Sequence, residues 1–233
     1  MEIAPEMSTA ARLKALVALA ALKILSPIAW GRLCFKGLRI TVPRGCFAPI
    51  FVSTSLLSDT ASALVKKGLA VEVGAGCGSL ALSLAREKEV EVVGTDVDLH
   101  CLRASLANAK LNELSSRYHP VACREASCLR DRAFDYALAN PPYFPLDQRL
   151  SLSACGGASL EVYRRILADA ARVLKQGGLL LFTASTLTGQ VRGALLVGER
   201  WAFFDRVRAY AWRKPSGPSP NRPRGTRAAG SPA

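Results

Sequence analysis

Val71-Glu72-Val73-Gly74-Ala75-Gly76-Cys77-Gly78-Ser79-Leu80-Ala81-Leu82-Ser83-Leu84-Ala85, followed after a short gap by Val90-Glu91-Val92-Val93-Gly94-Thr95-Asp96, decides the fold. The order is strand, glycine turn, helix, strand, acid. Such a turn brings bare backbone up to a ligand with no Cβ in the way, and an acid closing the next strand accepts hydrogen bonds from ribose hydroxyls. A dinucleotide fingerprint G-x-G-x-x-G needs its third glycine at position 79, where the chain has Ser79. Glu72, two residues ahead of the glycines, repels a pyrophosphate and attracts an ammonium. Glycine turns between strand and helix also serve packing alone.

A second stretch lies about 65 residues beyond the glycine loop. Phe134-Asp135-Tyr136-Ala137-Leu138-Ala139 reads as a buried strand and runs directly into Asn140-Pro141-Pro142-Tyr143. Two prolines at a strand end stop the ladder, since each ring locks φ and removes an amide donor. The result is a rigid loop at the carboxyl edge of a parallel sheet, where α/β proteins bind ligands. An asparagine oxygen and a proline carbonyl there suit an –NH₂ group. They orient its two N–H bonds and stabilise the charge that develops when a methyl group arrives, with Tyr143 packed on the planar group. An ordinary turn has the same residues.

The glycine loop with Asp96 resembles the cofactor loop of class I methyltransferases, whose donor S-adenosylmethionine carries both an ammonium and a ribose. Together with Asn140-Pro141-Pro142-Tyr143, it resembles the amino-methyltransferases: nucleic-acid adenine-N6 and guanine-N2 enzymes and the protein glutamine-N5 enzymes of the HemK/PrmC family. The Gly156-Gly157 pair before a helix, and the segment Phe47-Ala48-Pro49 to Leu56-Leu57 ahead of the cofactor strand, resemble the short archaeal and eukaryotic branch of HemK/PrmC. The resemblance spans about residues 45 to 212. It implies a Rossmann-like α/β fold, with a mostly parallel seven-stranded sheet and an antiparallel C-terminal pair. It places the cofactor on Glu72, Gly74, Ala75, Gly76, Cys77, Gly78 and Asp96, and the acceptor on Asn140, Pro141, Pro142 and Tyr143, with Asn140 touching both. The implied acceptor is a release-factor glutamine; the rival is an exocyclic amine of RNA or DNA. A small zinc-binding activator subunit is implied as partner. Bacterial members carry a helical substrate domain at the N-terminus, for which 45 residues are too few. The adenine contact within Arg124-Glu125-Ala126-Ser127-Cys128 stays open.

The 233 residues fit one α/β domain, 46–212, with an N-terminal helix and basic strand over 1–45 and a disordered basic tail over 213–233. Half the residues are apolar and the net charge is +13, an excess that attracts polyanions such as RNA or the ribosome. Seven cysteines without a C-x-x-C pair, and two isolated histidines, suggest a reducing, cytoplasmic setting with neither disulfides nor zinc.

Near the N-terminus, Leu13, Leu16, Val17, Ala20 and Ile24 follow helical spacing behind Ser8 or Thr9 as cap, and Pro27 ends the helix. A signal peptide is the alternative; the run is too short to span a membrane, which needs roughly 20 apolar residues. Leu38–Val42 alternates as a strand among basic residues. Ser53, Thr54 and Ser55 compete to cap a helix running to Gly68. Leu99, Leu102 and Leu106 mark the inner face of another, and Tyr118–Cys123 is a short strand. Leu160 to Leu174 is an amphipathic helix ended by Gly177-Gly178, with a buried strand from Leu179. Ser185–Val197 reads as loop and helix, and 201–204 and 207–212 as an antiparallel pair.

Overall fold

The computed structural model describes residues 1–4, 9–202 and 205–216. In chain order the elements are β1 Glu2–Ala4, α1 Thr9–Leu25, β2 Gly31–Phe35, β3 Leu38–Val42, α2 Val52–Leu64, β4 Gly68–Val73, α3 Ser79–Glu87 and β5 Val90–Asp96. They continue with α4 Leu99–Leu111, β6 Tyr118–Ala122, β7 Phe134–Ala139, α5 Glu161–Val173, β8 Leu174–Ser185, β9 Gln190–Arg192, β10 Leu195–Ala202 and β11 Asp205–Arg213.

Among the described residues the main sheet has seven strands in the order β10-β11-β8-β7-β4-β5-β6. The ladders β6-β5-β4-β7-β8 are parallel, and β11 is antiparallel to both β8 and β10. This is the Rossmann-like methyltransferase arrangement with its antiparallel C-terminal pair. Strand β4 is flanked by β5 and β7, so the winding direction reverses there. The crevice outside the carboxyl ends of β4 and β7 is the expected ligand position of an open α/β sheet. Val71, Val73, Ala137, Leu138 and Ala139 are fully buried, as central strands covered on both faces require. One face carries α2, α3 and α4; the other carries α5, whose Tyr163, Ile166, Leu167, Ala170 and Val173 pack on the sheet.

Part of the N-terminal segment shares the domain's core. Strands β2 and β3 form an antiparallel hairpin, and Phe35, Leu38, Ile40 and Val42 join the cluster that holds Leu80, Leu84 and Leu138. Helix α1 forms, but on the opposite face from the one its larger residues mark. Ala11, Ala15 and Leu19 are buried, while Leu13 is 63% and Ile24 72% exposed. Small residues allow the close approach, and the bulkier stripe is left on the solvent side. Helix α4 is rotated in part: Leu102 is buried as expected, but it shares the inner face with Cys101, Ser105, Asn108 and Ala109, while Leu99 and Leu106 face outward. Asn108 explains it: its side chain bonds Thr41 in β3 and the Cys77 carbonyl, which fixes the rotation of the helix.

Three boundaries differ from the sequence reading. Helix α5 stops at Val173, and β8 begins at Leu174 with Gly177-Gly178 inside its span. Lys214 replaces glycine as terminator. Its Nζ donates to the carbonyls of Ala171, Arg172 and Leu174 at 2.8–3.0 Å, a cation on the negative end of the helix. Arg213 and Lys214 thus belong to the ordered domain. Within 185–197 the chain forms a single short turn, β9 paired to β1, and the start of β10, with no α-helix. Helix α2 ends at Leu64, four residues before Gly68. Phe203, Phe204 and the tail from 217 lie outside the described residues.

The cysteines correct a further expectation. Cys46–Cys101 and Cys123–Cys128 are disulfide-bonded, with Cα atoms 5.8 and 6.0 Å apart; Cys34, Cys77 and Cys155 are free. The first pair joins a loop to a helix 55 residues later, so no local spacing announces it. Among the described residues no helix is long and apolar enough to cross a membrane, and no cluster of three His, Cys, Asp or Glu side chains is placed to hold a metal.

Candidate active site

Val73 and Ala139 are register partners on the parallel neighbours β4 and β7. Gly74 and Asn140 therefore leave the sheet side by side, at the ~4.8 Å spacing of adjacent strands. Hydrogen bonding then holds the glycine loop open. The N–H groups of Gly74 and Ala75 both donate to Thr95 O at 2.8 Å, and Gly78 N closes a turn on Ala75 O. Gly76 N donates to Asp96 Oδ2 at 2.7 Å, while Asp96 Oδ1 accepts from Asp98 N. Gly76 and Gly78 have φ of +53° and +82°, the left-handed region that favours glycine. A Cβ at Gly74 or Gly76 would point into open space, so the cradle is accessible; one at Gly78 would press on Ser105 of α4.

The acids flanking the cradle are in different settings. Glu72 is 3% exposed and its Oε2 accepts from Ala81 N at 2.8 Å, pinning the first turn of α3 beneath the loop. Burial raises its carboxyl well above the usual range, and the Asp96 charge pushes the same way. One Glu72 oxygen thus holds a helix amide, a role that the sequence reading, which assigns the residue an ammonium, does not foresee. Asp96 is partly exposed and its pKa is also raised, chiefly by burial. Cys77 is buried with its thiol pushed up to about 11, and donates weakly to Phe47 O. Ala75 is buried in the turn.

On the other side of the crevice, four elements meet at Asn140. Thr183 of β8, fully buried, donates from Oγ1 to Asn140 Oδ1 at 2.6 Å. Asn140 Nδ2 donates to Ser53 Oγ and Thr54 Oγ1, both at 3.2 Å, in the first turn of α2. The Thr183 carbonyl in turn accepts from Tyr163 Oη of α5 at 2.8 Å. Burial raises the Tyr143 phenol above its ordinary range. Gly156 is packed so tightly that a side chain there would collide with the Pro142 carbonyl oxygen. The sequence reading treats Ser53 and Thr54 as helix caps, but α2 has no side-chain cap and both hydroxyls turn inward to Asn140. Thr183 is missed as well; its only signal is a polar residue ending the apolar run Leu179–Phe182.

Beyond Asn140 opens a cavity of about 440 Å³. Asn140, Pro141, Pro142 and Tyr143 form one side, Phe47, Ile50, Phe51 and Ser53 another, and α1, Ile28, Ala154, Trp201 and Asp205 contribute to the remainder. Among the described residues no lysine or arginine lines it, and one acid, Asp205, does.

Residues 46–192 match the methyltransferase small domain family. The chain belongs to that family. Among its methyltransferase relatives is a protein of Methanocaldococcus jannaschii, provisionally named a protein N5-glutamine methyltransferase, 26% identical over 162 residues that make up 66% of this chain and 80% of that one. The release factor glutamine methyltransferase of Gloeobacter violaceus is 30% identical over 170 residues, 63% of this chain and 59% of that protein. A tRNA1(Val) adenine(37)-N6-methyltransferase of Shewanella halifaxensis is 29% identical over 102 residues, 42% of this chain and 41% of that one. The chain thus spans most of the archaeal relative and little more than half of the first bacterial one. The protein is an S-adenosylmethionine-dependent methyltransferase. The open backbone at Gly74 and Gly76 and the partly exposed Asp96 carboxylate fit that cofactor.

Proposed function

We propose that this methyltransferase modifies the side-chain amide nitrogen of a glutamine, in a translation release factor, with Asn140 as the residue that holds the acceptor. The observation that carries the reading is the Asn140 carboxamide, fixed at both ends beside an apolar cavity without basic residues. When bound, S-adenosylmethionine supplies an electrophilic methyl on a sulfonium. Gly74 to Gly78 would seat it by backbone approach, and Asp96 would accept from its ribose hydroxyls.

An amide nitrogen is a poor nucleophile because its lone pair is delocalised into the carbonyl. Asn140 Oδ1, with one lone pair engaged by Thr183, has a second that accepts an acceptor N–H. The Pro141 carbonyl takes the other N–H, and the rigid Pro141-Pro142 segment keeps both acceptors still. The two oxygens lie where positive charge grows on nitrogen, so they bind the transition state more strongly than the ground state. Tyr143 packs on the planar group. No base is needed at the nitrogen during transfer, since the proton is acidic once the methyl has arrived.

Thr183 decides which end of Asn140 faces the acceptor, because the terminal amide torsion is soft and nearly two-fold. Thr183→Val is expected to lower kcat about 10- to 100-fold with cofactor affinity unchanged, and Thr183→Ser to restore most of it. Equal losses in both variants would reduce Thr183 to a packing role.

A second reading, methylation of an exocyclic amine in RNA, is favoured by the net charge of +13 and the tRNA-modifying relative. The absence of Lys and Arg from the cavity lining among the described residues favours the protein acceptor, since RNA affinity rests on phosphate contacts. Incubation with methyl-labelled cofactor and, separately, release factor and total RNA separates the two. Label in the release factor supports the proposal; label in RNA alone replaces it. The small zinc-binding activator belongs to the same proposal, and purification of the protein from its own cells without a zinc-containing companion removes it.

A further inference from the structure

The cavity beside Asn140 is larger than one amide side chain requires. A glutamine side chain has five heavy atoms beyond Cα, roughly 150 Å³ at the ~30 Å³ that a water molecule occupies in the liquid. The cavity measures about 440 Å³. Well over half of it is left once the amide is seated.

That remainder has a consistent chemistry. Its wall includes Ala18, Ala21, Leu22 and Leu25 of α1, and Ile28, Ile50 and Trp201, exposed by 79%, 51% and 68%, belong to the same lining. Two of its polar groups are already engaged: Ser53 with Asn140, and Asp205 Oδ1 with Thr186 N. Water in such a space has few partners, so an apolar group entering it gains the full benefit of leaving solvent. The alanines at 18 and 21 make the space, since larger residues on that face of α1 would fill it.

We propose that this volume is a second acceptor subsite, which takes a bulky apolar side chain carried two residues from the methylated glutamine. The inference rests on the glutamine reading above. In an extended chain, residues two apart point to the same side about 6.6 Å from each other, close enough for one cavity to receive both. A cationic side chain finds one acid, Asp205, whose Oδ1 already accepts from Thr186, in a lining otherwise without charged side chains among the described residues. A phosphate finds no lysine or arginine among them. Leucine or phenylalanine meets complementary surface on α1, and its burial also shields Asn140 from water.

The test uses the full chain, methyl-labelled S-adenosylmethionine and short glutamine peptides that differ only two residues before or after the glutamine. Leucine or phenylalanine there is expected to raise kcat/KM at least about tenfold over glycine, the discrimination a hydrophobic pocket gives for one or two methylenes. The same residues placed next to the glutamine give a smaller gain. In Ala18→Trp and Ala21→Trp, which fill the cavity from α1, the ratio is expected to shrink below about threefold. Efficient methylation of all peptides by the wild-type chain with a ratio near one overturns the subsite and leaves the glutamine reading intact. A wild-type ratio that both tryptophan variants preserve places the selectivity outside this cavity. Label in RNA with none in any peptide removes both.

Discussion

Asn140→Ala is expected to reduce turnover about 10²- to 10³-fold while S-adenosylhomocysteine binds within about twofold of the wild-type affinity. Removing one preorganised hydrogen-bonding group from a charge-developing transition state costs about that much in kcat. The substitution removes the atom that receives the acceptor N–H, and it also leaves Thr183, Ser53 and Thr54 without their shared partner. The cofactor cradle is built separately, from Thr95, Asp96 and the glycine backbone, so its affinity stands. Single-turnover rates with saturating cofactor, alongside calorimetric titration, read the two quantities apart. Turnover within tenfold of wild type would sink the amine-holding role. A parallel collapse of cofactor affinity would show that Asn140 serves both ligands. Asn140→Asp sharpens the case: a carboxylate retains acceptor oxygens but accepts poorly beside the Ser53 and Thr54 hydroxyls unless they turn, so it is expected to keep a small residual rate.

Asp96→Ala is expected to weaken cofactor binding about 10- to 100-fold, with a smaller effect on the chemical step once cofactor saturates. Two losses combine. The ribose loses a charged acceptor, worth about 1.5–3 kcal/mol, and Gly76 N loses the oxygen that holds the loop in shape. The pH dependence has a definite sign. Burial raises the Asp96 pKa, so its proton is taken up at a higher pH than for a free aspartate. A bound ribose favours the ionised form, hence affinity falls as pH falls through that raised pKa and is flat above it. Asp96→Asn removes the Asp96 component of this dependence. Unchanged affinity in Asp96→Ala, measured near neutral pH, would argue against ribose contact.

Much of this fold is legible because its signals are local. Strand β7 occupies Phe134–Ala139, as expected from its apolar run, and the strand, glycine turn and helix from 68 to 87 follow from composition and periodicity. The juxtaposition of the two loops also follows, since parallel α/β winding places both at one sheet edge. What escapes detection depends on partners distant in sequence. Helix α1 is amphipathic in either direction, and only its packing against the residues around Phe144, Cys155 and Leu187 selects the alanine face. The Cys46–Cys101 bond spans two elements that meet only after folding. Lys214 ends α5 from 40 residues away, in a way no terminal glycine reveals. At the site, Asn140 and Tyr143 stand out in their motif, whereas Ser53, Thr54 and Thr183 carry only the weak mark of a hydroxyl in an apolar setting.

The provenance of the cavity walls has an engineering consequence. Ala18, Ala21, Leu22, Leu25 and Ile28 precede, and Trp201, Ala202, Asp205 and Val207 follow, the region 46–192 that matches the family. On the subsite proposed above, much of the guest-selecting wall thus lies outside the region that carries the reaction chemistry, although Ile50 and its neighbours contribute from within it. Transplanting the first helix from a relative with other tastes should retune which guests are accepted while the donor apparatus runs unaltered.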